Sequence, residues 1–338
     1  MRKWLLLVII AVMSVFVLAA CGSEDDTDTT EEADDVEGSE NADGDTYVIG
    51  ATQILEHPSL DEAYNGFQAA IEEAGLDVEY DYQNAQNDQN NVKTIADNFV
   101  ADDVDLIFAN STPSALGALN ATKDIPILFT SVTDAVDAGL VEAMEEPGDN
   151  ITGVVDLHPE AIESTVQFID EYFDGANVGV IYNAGEANSV AQIDAVEAAA
   201  DGTSLTISER TVSNSSEVQQ ATSSLAGEVE VFYIVTDNTV VSALDTVVGV
   251  ANEQQIPLIV GEPDSLEKGG FATFGIDYHT IGYRTGEMAV EILTGDNTPG
   301  DIDVEYPPEI QLFINKDGAE AQGVEWNDDW DEDAEFIE

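Results

Sequence analysis

Histidine and cysteine, two residue types that often carry out chemistry, are few and scattered in this sequence. The three histidines, His57, His158 and His279, are far apart, and none stands at metal-ligand spacing from another. His57 and His158 each precede a proline, which is typical of turns. There is no GxSxG nucleophile elbow, and no lysine follows a glycine-rich loop as phosphate binding requires. The sequence therefore predicts neither an enzyme nor a metal or cofactor site.

Polar residues instead collect after short apolar segments that resemble β-strands. These segments alternate with helical patterns, as parallel βαβ units require. A helical face over 60–74 ends at Gly75, a typical helix stop. The strand-like segments lie near 47–51, 78–82, 104–109, 125–130, 151–155, 178–182, 205–210, 229–235, 256–260 and 271–276, with a final one near 309–314.

The two halves of the chain repeat the same order of elements. An apolar segment at 105–109 leads into Asn-Ser-Thr-Pro, a helix containing Ser-Ala-Leu, and then Ile125-Pro126. A segment at 230–234 leads into Thr-Asp-Asn, a helix containing Ser-Ala-Leu, and then Ile256-Pro257. The sequence therefore predicts an α/β fold of two doubly wound, Rossmann-like lobes with a central cleft. Ligands of such sheets bind beyond the carboxyl ends of the strands.

Several loops at these strand ends contain groups that could bind a small zwitterion. Ser111 and Thr112 precede one predicted helix and Asn188 and Ser189 begin another, so we expect them to bind a carboxylate. Asp237 could bind an ammonium group together with Asp277, or it could cap a helix. Residues that could surround an apolar side chain, or belong to the core instead, are Phe129, Tyr182 and Tyr278.

The charge of the chain excludes several classes of partner. Asp and Glu number 70 against 8 Lys and Arg, which gives a formal charge of −62. Such a surface repels nucleic acid and anionic lipid headgroups. A briny or alkaline setting, where counterions screen the repulsion, is the interpretation that we give to this excess. The single cysteine excludes a disulfide scaffold.

The first residues resemble a bacterial lipoprotein signal. Arg2 and Lys3 precede an apolar run over 4–18, and Leu-Ala-Ala-Cys at 18–21 resembles a lipobox. This resemblance implies that residues 1–20 are removed, that Cys21 is lipidated, and that the lipid holds the protein on the outer face of the cell membrane. The alternative is a membrane-spanning anchor with an ordinary thiol. Residues 21–45 are predicted to be an acidic, disordered tether, and residues 325–338 a partly ordered acidic tail.

Motifs at the predicted cleft resemble those of substrate-binding lipoproteins of ABC importers, in the tryptophan/tyrosine-binding family. The matching motifs, in order, are Glu-His-Pro at 56–58, Asn-Ser-Thr-Pro at 110–113, Val-Thr-Asp at 132–134, Tyr-Asn-Ala-Gly-Glu-Ala-Asn-Ser at 182–189, Thr-Asp-Asn at 236–238 and Gly-Ile-Asp-Tyr at 275–278. The resemblance covers residues 46–324 and implies a type I periplasmic-binding fold with chain crossings near 156, 277 and 303. The lobes are then 46–156 plus 278–303, and 157–277 plus 304–324.

The resemblance implies an extracytoplasmic receptor that closes two lobes around an aromatic amino acid and delivers it to an ABC permease. Gly185 departs from the family, which commonly has a serine hydroxyl there. A sugar- or nucleoside-binding lipoprotein of the same fold and a ligand-sensing ectodomain remain open alternatives. The candidate ligand-binding residues are Glu56, Ser111, Thr112, Thr133, Asp134, Asn183, Glu186, Asn188, Ser189, Asp237, Asn238, Asp277 and Tyr278.

Overall fold

The computed structural model describes residues 46–337, and the predicted signal segment, Cys21 and the tether lie outside the described residues. Two β-sheets form the centres of two lobes. The strands are β1 (Tyr47–Gln53), β2 (Val78–Asn84), β3 (Leu106–Asn110), β4 (Ile127–Val132), β5 (Ile151–Val155), β6 (Asn177–Tyr182), β7 (Thr206–Thr211), β8 (Val231–Ile234), β9 (Leu258–Val260), β10 (Ala272–Gly275), β11 (Gln311–Asn315) and β12 (Ala334–Ile337).

Helices cover the faces of both sheets. They are α1 (Pro58–Ala74), α2 (Gln89–Ala101), α3 (Thr112–Ala121), α4 (Ala161–Tyr172), α5 (Ala187–Ala200), α6 (Val218–Leu225), α7 (Asn238–Val241), α8 (Leu244–Gln254), α9 (Asp264–Glu267), α10 (Tyr278–Leu293), α11 (Lys316–Ala321) and α12 (Trp330–Asp333). Two short 3₁₀ helices cover Ser215–Glu217 and Pro299–Asp301. Among residues 46–337, no helix has the length and apolar character that a membrane crossing demands.

The first lobe has a parallel sheet of order β2-β1-β3-β4-β5. Every residue of β3, β4 and β5 is buried, which explains why these strands are continuous apolar runs rather than alternating ones. Helices pack on both faces, so that two apolar clusters form on opposite sides of the sheet. This arrangement brings the carboxyl ends of β1, β3, β4 and β5 to one edge of the lobe.

Helices α1 and α10 pack unusually closely beside this sheet. A Cβ atom at Gly282 would lie 1.9 Å from the carbonyl oxygen of Ala63, so glycine is required for this approach. Gly75 adopts a left-handed φ of 74° and ends α1, as predicted. The close contact fixes α10, which begins at the cleft, against the first lobe.

The second lobe has the order β12-β11-β10-β9-β8-β6-β7, in which only the β10–β11 pair is antiparallel. The fold class predicted from the sequence, two doubly wound lobes with a cleft, is confirmed. The chain leaves the first lobe after β5 and returns to it at α10. Glu305 still pairs with Val154, so the third crossing follows Glu305 and lies beyond the predicted position near 303.

The prediction of a partly ordered tail over 325–338 was wrong for the residues that the structure describes. Strand β12 pairs in parallel with β11, and Trp330 of α12 is 3% exposed. The Trp330 ring packs on Phe168, Tyr172 and Phe271. The aromatic residues are separated by many acids in the sequence, so composition alone concealed an element that completes the core of the second lobe.

Candidate ligand-binding site

A narrow cavity of about 40 Å³ lies where the strand ends of the two lobes face each other. The first lobe contributes Leu55, His57, Ser59, Leu60, Thr112, Ser131, Thr133 and Asp156 to its wall. The second lobe and the start of α10 contribute Asn188, Thr236, Asp237, Asn238, Val241, Glu262 and Tyr278.

Turns at the strand ends position the polar groups of the first lobe. His57 caps α1, since its Nδ1 accepts from the backbone N–H of Ser59 at 3.3 Å. Ser111 caps α3 and thereby places Thr112 in the first turn of that helix. Ser111 and Ser131 have φ values of 135° and 56°. Such strained backbones persist where the surrounding structure enforces them, which is common at ligand sites.

A network of hydrogen bonds fixes the wall of the second lobe. Asp237 caps α7 by accepting from the Val240 N–H at 2.7 Å. Its carboxylate also accepts from the Asn183 N–H at 2.6 Å and from the Ser189 hydroxyl at 2.7 Å. The Asn188 amide donates to the carbonyl oxygen of Thr236 at 3.1 Å. These bonds lock the loop after β8 against the start of α5.

Five cavity residues have a buried polar atom without a hydrogen-bond partner. These atoms are His57 Nε2, Thr112 Oγ1, Ser131 Oγ, Asp156 Oδ1 and Asn188 Oδ1. Buried polar groups are paired in more than about 90% of cases, so a cluster of unpaired groups around one cavity marks it as the candidate binding site. The set combines hydroxyl donors with carboxylate and amide acceptors. It matches a molecule that carries both donors and acceptors.

The remaining wall is apolar. Leu55, Leu60, Val241 and the ring of Tyr278 are each less than a tenth exposed. Apolar walls with a few convergent polar groups are typical of sites that bury most of a small ligand.

Burial shifts the pKa of several cavity groups. It raises the pKa of Asp156 to about 6, and that of Asp237 also to about 6, with a further contribution from the nearby charge of Glu186. Burial also raises the pKa of Glu262. It lowers the pKa of His57 to about 4, and the charge of Lys268 lowers it further in the same direction. His57 is therefore neutral at physiological pH.

Direct hydrogen bonds join the lobes around the cavity. The Ser59 hydroxyl donates to Glu262 at 2.8 Å, and it also contacts Asp264. Gln192 donates to the Thr133 hydroxyl at 3.3 Å and accepts from Thr236. These contacts require the two lobes to be closed upon each other.

The structure brings six of the predicted site residues to the cavity wall. They are Thr112, Thr133, Asn188, Asp237, Asn238 and Tyr278. Four others are at least partly buried and support the wall from behind. Ser111 caps α3, Ser189 and Asn183 bond to Asp237, and Glu186 accepts from the backbone and side chain of Asn238.

The structure places the other predicted residues away from the cavity wall. Asp134 and Asp277 are exposed and cap the turns that follow them, and Glu56 is exposed at the mouth of the cleft. Each lies near a strand end but does not reach the cavity, because its side chain is exposed to solvent. Phe129 is core, and Tyr182 bonds to Glu209 outside the cavity. Gly185 lies on an exposed turn, so the missing serine hydroxyl is not part of the wall.

Sequence reasoning missed several cavity residues. His57 and Glu262 lie in strand-end loops, and Ser131 lies one residue before the end of β4; the sequence offered no chemical reason to choose any of the three as a ligand contact. Asp156 directly follows β5, at the first chain crossing. The rule that ligands bind beyond the carboxyl ends of strands would have selected it if the end of β5 had been included. Across residues 46–337, no group of three or more potential metal ligands is assembled.

Comparison with known proteins identifies the family. Residues 48–335 match the family described as ABC transporter substrate binding protein. This chain belongs to that family. It is 42% identical over 325 residues to the tyrosine-binding protein of Clostridioides difficile, a match that covers 95% of this chain and 92% of the relative.

Two solved structures of the substrate-binding fold bear on the arrangement of the lobes. An ABC domain from Streptococcus pneumonia in complex with L-Trp has a TM-score of 0.83 at 31% identity, over 87% of this chain and 100% of that one. The ligand-free, open structure of a substrate binding protein with adhesive properties from Clostridium difficile has a TM-score of 0.65 at 40% identity. That match covers 87% of this chain and 99% of the other. The present lobes are therefore arranged more like those of the L-Trp complex, despite the lower identity.

Proposed function

We propose that this member of the substrate-binding family captures an aromatic L-amino acid between its lobes and delivers it to an ABC permease. The observation that carries the proposal is the cavity itself, where unpaired donors and acceptors from both lobes flank an apolar wall. A zwitterion with an aromatic side chain satisfies each of these features. The names of two relatives, a tyrosine-binding protein and an L-Trp complex, support the same ligand class.

The carboxylate of the ligand belongs beside α3 in this proposal. Thr112 lies in the first turn of that helix, where the dipole favours negative charge, and its hydroxyl has no partner. The Ser131 hydroxyl is a second unpaired donor of the same lobe. Asn188 of the second lobe offers an unpaired amide oxygen, which accepts from a donor group of the ligand rather than from its carboxylate, so ligand contacts to both lobes stabilise the closed form.

The chain acts in this proposal as a receptor rather than an enzyme. Substrate-binding proteins of ABC importers work outside the cytoplasm, in agreement with the predicted export signal. Lipidation of Cys21 would hold the receptor beside its permease. Metabolic labelling with a radioactive fatty acid tests the anchor: label is expected in the wild type and absent from Cys21→Ala, and label retained by the variant would contradict it.

A calorimetric titration in high salt tests the ligand class. We expect saturable binding of L-tyrosine, L-tryptophan or L-phenylalanine, and no heat with glucose, myo-inositol or adenosine. Thr112→Val should weaken binding at least tenfold, because a hydrogen bond to a charged group contributes about 1.5–3 kcal/mol. Thr94→Val, on the exposed face of α2, is the matched control. Binding of a sugar or nucleoside instead would overturn the proposal.

A further inference from the structure

We propose that Asp156 receives the ammonium group of the bound amino acid, and that it does so from the hinge between the lobes. This inference rests on the proposed function, since it concerns the amino end of that ligand. The sequence favoured Asp237 and Asp277 for this role. Asp277 is exposed and caps α10, so it does not reach the cavity.

Asp237 lines the cavity, but the fold already uses its carboxylate. One oxygen accepts from the Val240 N–H, and the other accepts from both the Asn183 N–H and the Ser189 hydroxyl. Three donors from three segments therefore already satisfy both oxygens of this carboxylate. Its position is explained by capping α7 and fixing the loop after β8.

Glu262 is also occupied. One of its oxygens accepts from the Ser59 hydroxyl at 2.8 Å, and the other contacts the Ser265 hydroxyl. These bonds join the first lobe to the second through Glu262. Both oxygens consequently have a donor without any ligand.

Asp156 differs from these two carboxylates because one of its oxygens is free. Oδ2 accepts from the Tyr278 hydroxyl at 3.1 Å, whereas Oδ1 is shut off from solvent and has no partner. An unsatisfied buried acceptor costs about 1–3 kcal/mol, and more when it is charged. The residues that line the cavity include no lysine or arginine, and His57 is neutral. A cationic ligand group supplies both the missing donor and the missing charge.

The position of Asp156 makes this contact a hinge contact. Asp156 follows β5, where the chain first leaves the first lobe, and Tyr278 begins α10, where the chain returns. Their hydrogen bond therefore joins two of the chain crossings. The amino end of the ligand is then anchored at the hinge, while Thr112 and Asn188 contact the ligand from the facing lobes. Tyr278 is a positioning residue, since it holds the Asp156 side chain.

The test compares each amino acid with its deaminated counterpart. The probes are L-tyrosine with 3-(4-hydroxyphenyl)propionate, and L-tryptophan with 3-(indol-3-yl)propionate. We expect Asp156→Asn to weaken binding of the amino acids at least tenfold and to leave binding of the deaminated acids unchanged. Unchanged binding of the deaminated acids also reports that the cavity is folded. Asp134→Asn removes an exposed turn cap of the same lobe, and it should leave the affinity for both the amino acids and the deaminated acids unchanged.

A second variant keeps the test independent of how Asp156→Asn folds. Tyr278→Phe retains the ring and removes only the hydroxyl bound to Asp156, so we expect a several-fold loss confined to the amino acids. An equal loss for both classes of ligand, or a loss selective for amino acids in Asp237→Asn instead, would overturn the assignment. Wild-type protein that binds no aromatic amino acid would refute the proposed function itself, a result distinct from either of these.

Discussion

The hydroxyl of Ser59 lies 2.8 Å from a carboxylate oxygen of Glu262 and so connects the two lobes directly. Ser59 follows β1 in the first lobe, and Glu262 follows β9 in the second. Both side chains are less than a tenth exposed. Because the bond spans the cleft, it can exist only when the lobes are closed. Glu262 must regain a water shell when they open.

Removing this connection should weaken ligand binding by destabilising the closed form. Ser59→Ala leaves Glu262 short of one donor in the closed form only, at a cost of about 1–3 kcal/mol. We expect the dissociation constant to rise roughly five- to 150-fold, mainly through faster release of the ligand. Stopped-flow and calorimetric titrations measure both quantities.

Ser164→Ala provides the control for this substitution. Ser164 lies in α4 and has no side-chain bond across the cleft. Its replacement should leave the affinity unchanged. Equal affinities of Ser59→Ala and wild type would show that the contact does not stabilise closure.

The stability of the fold should depend on pH through the buried cavity groups. Asp156 and Asp237 have a pKa of about 6 in the fold against 3.8 for the free side chain. Between these values the folded protein binds more protons than the unfolded chain, so these groups lower the free energy of unfolding as pH rises. His57 acts oppositely, because its pKa falls from 6.5 to about 4 on folding.

Urea unfolding at about pH 5 and about pH 7 separates these contributions. Compared with wild type, Asp156→Asn should lose less stability over this interval, and His57→Gln should lose more. Asp134→Asn should follow the wild type. The same pH dependence in all four proteins would contradict the burial of these charges.

The fold could be predicted from the sequence more completely than the ligand-binding site. Strands such as β3 and β4 are recognisable because burial on both faces demands continuous apolar runs. The strand-end rule also located Thr112, Asn188 and Asp237. It could not tell Asp237 from Asp277, since both cap helices and only the packing of the second lobe turns one of them inward. His57 and Glu262 meet only through closure, which no local pattern records.

Salt should stabilise the protein markedly. The formal charge of −62 produces self-repulsion that counterions screen, and the Debye length falls from about 10 Å at 0.1 M to about 3 Å at 1 M. We expect the midpoint of thermal unfolding to rise by several degrees between these two concentrations of sodium chloride. Sorbitol at equal osmolality controls for preferential exclusion. A midpoint that responds equally to both solutes would argue against charge screening.

The C-terminal segment should contribute strongly to the stability of the second lobe. Trp330 is 3% exposed among aromatic rings, whereas Trp326 is 36% exposed. Trp330→Ala should therefore lower the free energy of unfolding by about 3–5 kcal/mol. Trp326→Ala is the matched control and should cost clearly less. Similar losses for the two variants would mean that the segment is not packed as described.

Small-angle X-ray scattering with and without ligand tests most directly whether this protein closes its lobes around an aromatic amino acid. Without ligand, solution scattering should show the open form, in which the contacts across the cleft are broken. Saturating L-tyrosine or L-tryptophan should reduce the radius of gyration to the value calculated for the closed arrangement of residues 46–337, and myo-inositol should not. A scattering profile that none of the aromatic amino acids changes would contradict the account.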